Sequence, residues 1–530
     1  MNLSNRTIQA CLVTGLLNLL ACGGEPDEVA TAQTTVRIGT PNAVRSANIF
    51  ADTYLGVFIN VSHPPLIKVN PNGQLEGLTA ERYAVSDDLR VWTFTIRDDL
   101  YWSDGKKLTP EDVRFSVEYL GKHNPNMRWI RDTLVASAID AGNTVSFAFN
   151  KPYTRLDLEF ASYNIFPKHV WSGIEDPMRH SNSGVNVGFG PFFIERIDLD
   201  AGLIRFLRNP HWKGKRPKID AYEIHIYKRP DVLSFALEKG EVDTYLKYAS
   251  SYPYAHIERL KKDEHYAFDR RLNMGLVFLG LNLRKPPLSD RLFREALSYA
   301  IDYEEIIRLD ALGYGRVPNR GFVPPCMDGF IPTETLAYDP TKAKRLLVEG
   351  GYNDSNGDDL IEDDRENLKL TLLVQSDWSR VAELLEDYLG DIGIPVVTRS
   401  VDFNTWMAEK DKYAYDLTIT RTTPWGMLMH ANWATGYFDS RRTGQGVLHV
   451  LDDPVFLHVS DEILSTRDAG ELSELSRRLQ RYYAEKIPAI ALYWNEVVTP
   501  FNRELTGWAP DPLYGLYNID TFLNLERTDR

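Results

Sequence analysis

Apolar and polar residues alternate through Val91-Trp92-Thr93-Phe94-Thr95-Ile96-Arg97, with Trp92, Phe94 and Ile96 on one face and Thr93, Thr95 and Arg97 on the other. A period of two predicts a half-buried strand. The period changes after Leu108-Thr109-Pro110-Glu111-Asp112, where Val113, Val117 and Leu120 fall on one helical face. Thr109 suits an N-cap, Pro110 the first helical position and Asp112 the positive end of the helix dipole, so a helix is predicted from Pro110. Ala221 to Tyr227 alternates again, Val232 to Lys239 has helical spacing, and Gly240-Glu241-Val242-Asp243 reads as a return to strand. Leu276 to Leu283 is an apolar run broken by Gly280 and Asn282, which predicts a buried crossover strand. Arg294 to Ile307 is amphipathic throughout and predicts one helix, and Asp339-Pro340 opens another at Lys342 to Val348. Strand, helix and strand then follow at Leu368–Val374, Val381–Leu389 and Ile394–Ser400, with a buried strand at Tyr415–Thr420. Strands alternating with helices predict an α/β layered fold.

The chain has 530 residues, more than a single core usually serves, so two or three domains are expected. A hydrophobic share of 43% supports a large core. The formal charge of −14 argues against nucleic acid as a partner, because phosphate binding needs a basic surface. Three cysteines, Cys11, Cys22 and Cys326, form neither a disulfide framework nor a CxxC metal pattern.

The N-terminal apolar run, Ile8 to Leu20, is interrupted by Gln9, Thr14 and Asn18 and is too short to span a bilayer. It ends in Leu19-Leu20-Ala21-Cys22-Gly23, which resembles the lipobox of a bacterial lipoprotein. The resemblance implies a signal peptide over 1–21, lipidation at Cys22 and a flexible tether over 22–35. An ordinary cleaved signal peptide, with Cys22 incidental, is the alternative.

No HExxH, GxSxG, GxxxxGK[ST] or CxxC pattern occurs, and no two of the 11 histidines are four residues apart. An enzyme is therefore not expected, nor a cofactor. Asp354, Asn356 and Asp358 occupy positions 1, 3 and 5 of a loop similar to the first half of an EF-hand, which raises a structural calcium site. Asp359 stands where that loop needs glycine and Arg365 where it needs glutamate, so an acidic surface turn is the competing reading.

Several of these segments, in this order, resemble family 5 of the bacterial extracellular solute-binding proteins, the peptide- and nickel-binding components of ABC importers. The match runs through Trp92–Arg97, Trp102-Ser103-Asp104-Gly105, Leu108–Val113, Gly188-Phe189-Gly190-Pro191-Phe192, Arg208-Asn209-Pro210, Gly240–Asp243, Arg294–Asp302, Tyr338-Asp339-Pro340 and Gly393-Ile394. The resemblance implies a two-lobed, type II periplasmic-binding-protein-like α/β fold with an extra subdomain in the first lobe. The first lobe would comprise 36–281, with the subdomain at about 61–184, and the return segment 494–530; the second would comprise 282–493. Hinges are expected at Gly280, Asn282 and Trp494, with closure around a ligand. It also implies a monomer in the cell envelope that touches the membrane through its lipid anchor alone and delivers its ligand to an ABC permease and its ATPase subunits. A ligand sensor or chaperone on the same fold is the alternative of another class.

The motif aromatics Trp92, Phe94 and Trp102 read as packing residues, and Gly188 and Gly190 as a turn. The richest segment for ligand contact is Arg421–Trp433, which follows the Tyr415–Thr420 strand. Peptide-binding relatives carry there an aspartate that holds the peptide amine, and this chain lacks it. Arg421 with Trp425-Gly426 is similar to the nickel branch, and Met429, His430 and Trp433 follow. Trp494 and, in the first lobe, Arg128 and Trp129 are further candidates, with Arg131 nearby. Guanidinium groups and aromatic walls suit a carboxylate-bearing metal chelate or related non-peptide, with peptide as the alternative. Met429 and His430 also read as ordinary interior residues.

Overall fold

The computed structural model describes residues 34–528, apart from 51, 125–126, 181–185, 249, 328, 364–365, 423–436, 442–447, 449 and 467. Cys22, the signal peptide and nearly all of the tether therefore lie outside the described residues, as do Trp425, Met429, His430 and Trp433.

The strand predicted from alternation forms as Val91–Ile96 and buries Trp92, Phe94 and Ile96. It sits in a four-stranded antiparallel sheet with Ala80–Val85, Thr144–Phe149 and Leu134–Asp140. The following helix, Pro110–His123, begins where its cap residues place it. The Asp112 carboxylate accepts from the Thr109 N–H at 2.9 Å and, with its other oxygen, from the Lys168 N–H at 2.9 Å. One side chain thus starts a helix and ties it to the start of the short helix Lys168–Trp171.

A larger mixed sheet runs through most of the molecule. Its strands lie in the order Val396–Val401, Leu370–Gln375, Leu417–Arg421, Val277–Leu281, Ala489–Asn502, Thr244–Tyr245, Thr35–Thr40, Ala221–Ile226, Leu203–Arg208 and Phe192–Asp198. The Ala489–Asn502 strand joins its two halves. Its first half pairs with Val277–Leu281, and its second with Tyr266–Leu272 and Thr244.

The buried apolar residues fall into two main cores. One contains residues between Leu276 and Trp494, and the other joins residues between Val36 and Leu246 to Leu505, Leu513, Tyr517, Phe522 and Leu525. A smaller third core adds Tyr314 to Leu233, Tyr252, Tyr266 and Val498.

Two expectations are corrected. The amphipathic stretch 294–307 is two helices, Arg291–Ala300 and Tyr303–Leu309, because the Asp302 side chain accepts from the Glu305 N–H at 2.9 Å and caps a new helix. Gly240–Asp243 is not a strand; pairing starts at Thr244. Asp243 is held back by its carboxylate, which accepts from the Arg37 N–H at 2.8 Å and from Arg527 Nη2 at 2.9 Å. The turn read at Gly188 and Gly190 has a steric basis. A Cβ on Gly190 would lie 1.9 Å from the Val61 carbonyl oxygen, and one on Gly188 would lie 2.4 Å from that of Ser62.

Candidate functional site

A cavity of about 340 Å³ opens where the Thr244–Tyr245 and Tyr266–Leu272 strands end beside the Ala489–Asn502 strand. Lys247, Tyr248 and Ser250 form one wall, Asp269, Arg271, Asn273 and Met274 a second, and the returning chain from Trp508 to Tyr517 a third. Cys326 also lines it, with its Sγ 3.4 Å from the Asn273 carbonyl oxygen.

Arg421 does not itself line the cavity but meets Ser250 of this wall from the end of the Leu417–Arg421 strand. Its Nη1 donates to Ser250 Oγ at 2.6 Å. Its neighbour Thr422 is pinned on both sides, since the Thr422 N–H donates to the Leu276 carbonyl at 3.0 Å and its Oγ1 accepts from the Leu276 N–H at 2.9 Å. A Cβ on Gly275 would lie 2.2 Å from the Thr422 carbonyl oxygen, so glycine permits this close approach. The strand end therefore delivers a guanidinium beside Lys247. Burial pulls the Lys247 ammonium below its ordinary value, and the nearby Arg421 adds to the shift against an opposing Asp377. Among the described residues no side chain hydrogen-bonds or ion-pairs with Lys247. Two cationic groups converge there, and among the described residues neither is hydrogen-bonded to or ion-paired with a carboxylate, an arrangement that favours an anionic ligand group.

The carboxylates of the opposite walls differ from each other. Asp269 is paired, accepting from Arg271 Nη1 at 2.6 Å, although burial still raises its carboxyl. Arg271 passes so close to Gly515 that a Cβ there would lie 2.2 Å from Nη2. Asp511 is 5% exposed, and burial pushes its carboxyl up to about 7 against the lowering effect of the Leu513 and Tyr514 N–H groups and Arg271.

The other expected site residues lie elsewhere. Arg128 is exposed and Trp129 half-buried, its Nε1 donating to Tyr163 Oη at 3.1 Å and its ring packed near Phe149 and Tyr153. Arg131 is exposed and paired with Asp132 at 2.9 Å. Trp494 is buried, edge-on to Phe330 at 6.2 Å. None of these four lines the cavity. Gly280 sits within the Val277–Leu281 strand, where a Cβ would lie 2.8 Å from Leu448 Cδ1. Asn282 leaves that strand with its Nδ2 donating to the Tyr415 carbonyl at 2.9 Å.

At the acidic loop, Asp354 accepts from the N–H groups of Gly357 at 2.6 Å and Asp359 at 2.9 Å, and Asn356 accepts from that of Asp358 at 2.9 Å. Asp358 accepts from the Leu360 N–H at 3.0 Å and from Asn367 Nδ2 at 2.8 Å. The three calcium candidates thus hold the turn's own backbone. Among the described residues no three His, Cys, Asp or Glu side chains cluster as a metal site.

Residues 74–444 match the model of the bacterial extracellular solute-binding proteins, family 5 middle. The chain belongs to that family. It is a non-catalytic binder, the substrate-binding component of an ABC importer. The nickel-binding periplasmic protein of Escherichia coli is 24% identical over 494 residues, covering 87% of this chain and 89% of that protein. NikA from Brucella suis, in complex with Fe(III)-EDTA, is similar in fold, with a TM-score of 0.79 at 20% identity over 93% of this chain and 100% of that one. The oligopeptide-binding protein AppA from Bacillus subtilis, in complex with a nonapeptide, has a TM-score of 0.77 at 20% identity, covering 94% of this chain and 100% of that one. The mixed α/β fold expected from the sequence is thus the fold of family 5 binding proteins.

Sequence reasoning picked out Arg421 but missed Lys247, Tyr248, Ser250, Arg271 and Asp511. Lys247 to Ser250 sit in a local run, Leu246 to Tyr254, that carries no motif, and their meeting with Arg421 is tertiary. Asp511 had one local signal: an acid between Pro510 and Pro512 within an aromatic stretch of Trp508, Tyr514 and Tyr517. Such a segment cannot continue a helix or an inner strand and is suited to lining a site.

Proposed function

We propose that this family 5 binder captures a small carboxylate-bearing ligand between two lobes, with Arg421 and Lys247 receiving the carboxylate. The observation that carries this reading is the 2.6 Å contact of Arg421 with Ser250, a residue that lines the cavity with Lys247, while Arg421 acts electrostatically on Lys247 from just behind that wall. Metal chelates and short peptides both belong to this ligand class. Fe(III)-EDTA and a nonapeptide, the ligands named for the two related structures, both present carboxylates. A metal would enter as cargo held by its chelator.

The lobes are 36–281 with the return 494–530, and 282–493, and the separation of the two cores supports that division. Closure takes place about the crossings near Gly280, Asn282 and Trp494. The protein acts as a monomer and hands its ligand to the permease. Arg421→Ala is expected to weaken capture of Fe(III)-EDTA, or of short peptides, by roughly ten- to a hundredfold, the worth of a charge-assisted hydrogen bond. Titration calorimetry measures the loss, and scattering should show a smaller radius on saturation of the parent protein. Unchanged affinity in Arg421→Ala would remove the reading.

The anchor is a lipid on Cys22, supported by Leu19-Leu20-Ala21-Cys22. Cys22→Ala is expected to move the protein from the membrane pellet to the soluble fraction, since acyl chains supply stable attachment. An unaltered partition would exclude the anchor.

A further inference from the structure

Asp511 does more chemistry than its local structure requires. Its Oδ1 accepts from the N–H groups of Leu513 at 2.8 Å and Tyr514 at 2.5 Å, and its main chain exchanges two hydrogen bonds with Gly515 at 3.0 Å. That is a side-chain-closed turn, and one carbonyl-type oxygen suffices to close it. An asparagine would supply that oxygen without burying a charge. The second oxygen, Oδ2, has no hydrogen-bond or ion-pair partner among the described residues. Yet the residue is 5% exposed and lines the cavity. A buried carboxylate whose nearby cation, Arg271, is already bonded to another acid is costly, and proteins retain such groups where a ligand completes them.

The charged and titratable neighbours are few. Arg271 faces Asp511 from the Tyr266–Leu272 strand but is already paired with Asp269. Tyr514 comes from its own segment, Tyr248 from the stretch after the Thr244–Tyr245 strand, and Asp520 from the Ile519–Asn524 helix. Asp520 is neutralised by Lys68. Tyr248 lies within electrostatic reach of both Asp511 and Arg421.

We propose that Asp511 receives a protonated amine of the ligand, so that the site selects molecules carrying both an ammonium and a carboxylate. The proposal rests on the carboxylate-capture reading above and adds the opposite end of the ligand. It also replaces a charge partner that the Arg421–Trp433 segment lacks: the acid comes from the returning C-terminal chain instead.

The test uses the full-length protein and two probes, an equimolar mixture of tripeptides with free amino termini and the same mixture after N-acetylation. Native mass spectrometry at pH 7.5 is expected to show the free-amine mixture captured about tenfold better, because acetylation removes the cation while keeping the carboxylate. The preference is expected to shrink at pH 5.5, where the acid is protonated, and to vanish in Asp511→Asn, which keeps the turn. Equal capture of the two mixtures, a preference that survives in Asp511→Asn, or failure to capture the free-amine mixture each overturns the proposal. Arg421→Ala separates the two readings. If it still captures the free-amine mixture with the preference intact, carboxylate capture fails while the amine site stands.

Discussion

Asp243→Ala is expected to cost about 3–5 kcal/mol of stability, the usual effect of removing one partner from a buried ion pair. The Asp243 side chain is 1% exposed and is held by two cations. Arg37 Nη2 approaches Oδ1 at 3.3 Å and Arg527 Nη2 approaches it at 2.9 Å, while the Arg37 N–H donates to Oδ2 at 2.8 Å. The Asp243 N–H returns a bond to the Arg37 carbonyl at 2.7 Å. Alanine would leave a main-chain donor and two partly buried guanidinium groups without their acceptor. Asparagine keeps an acceptor but loses the charge, and should fall between alanine and the parent. Urea unfolding followed by tryptophan fluorescence measures the series. A midpoint for Asp243→Ala equal to that of the parent would show that the clasp is dispensable.

The second large effect has the opposite sign. Asp511→Asn is expected to stabilise the ligand-free protein, and increasingly so as pH rises. The carboxyl has an ordinary value of 3.8 and is pushed up to about 7 in the fold, so the folded state binds its proton more tightly than the unfolded chain does. Stability from this group is therefore full below pH 3.8 and is lost as pH rises towards 7. A rise from 3.8 to about 7 corresponds to a loss on the order of 4 kcal/mol. Asparagine does not titrate. Parent and variant should melt nearly together at pH 4, with the variant the more stable at pH 8. Parallel melting curves at both pH values would mean that the carboxyl is solvated and its burial unimportant. A stabilised variant that has lost its amine preference would mark Asp511 as a residue kept for binding at the expense of the fold.

What the sequence made legible depended on how local the cause was. The Val91–Ile96 strand follows from alternation, and the helix at Pro110 from three residues at its entrance. Asp302 shows the limit of periodicity. The apolar stripe continues past it, so one long helix was the natural expectation, but the aspartate caps a second helix. Gly240–Asp243 was visible as a motif while its structure was not, because Asp243 serves Arg37 and Arg527, some 200 and 284 residues away in sequence. At the site, a loop following a buried strand pointed to Arg421. Ser250, which it meets, lines a cavity whose other walls come from residues 269–274 and 508–517, and no local pattern joins segments so far apart. The missing acid in the Arg421–Trp433 segment argued against an amine-bearing ligand only as long as that segment was considered alone.

The core that joins the N-terminal strands to the C-terminal segment also contains an instruction about time. It begins at Val36 but closes over Leu513, Tyr517 and Phe522, and Tyr517 Oη donates to the Phe58 carbonyl across 459 residues of chain. A ribosome adds about 5–20 residues each second, so tens of seconds pass between synthesis of the early strands and of the residues that cover them. Through that interval Phe58, Phe192 and Tyr222 lack the partners that bury them in the finished protein. Translation alone therefore leaves this core incomplete until Tyr517 and Phe522 have been made.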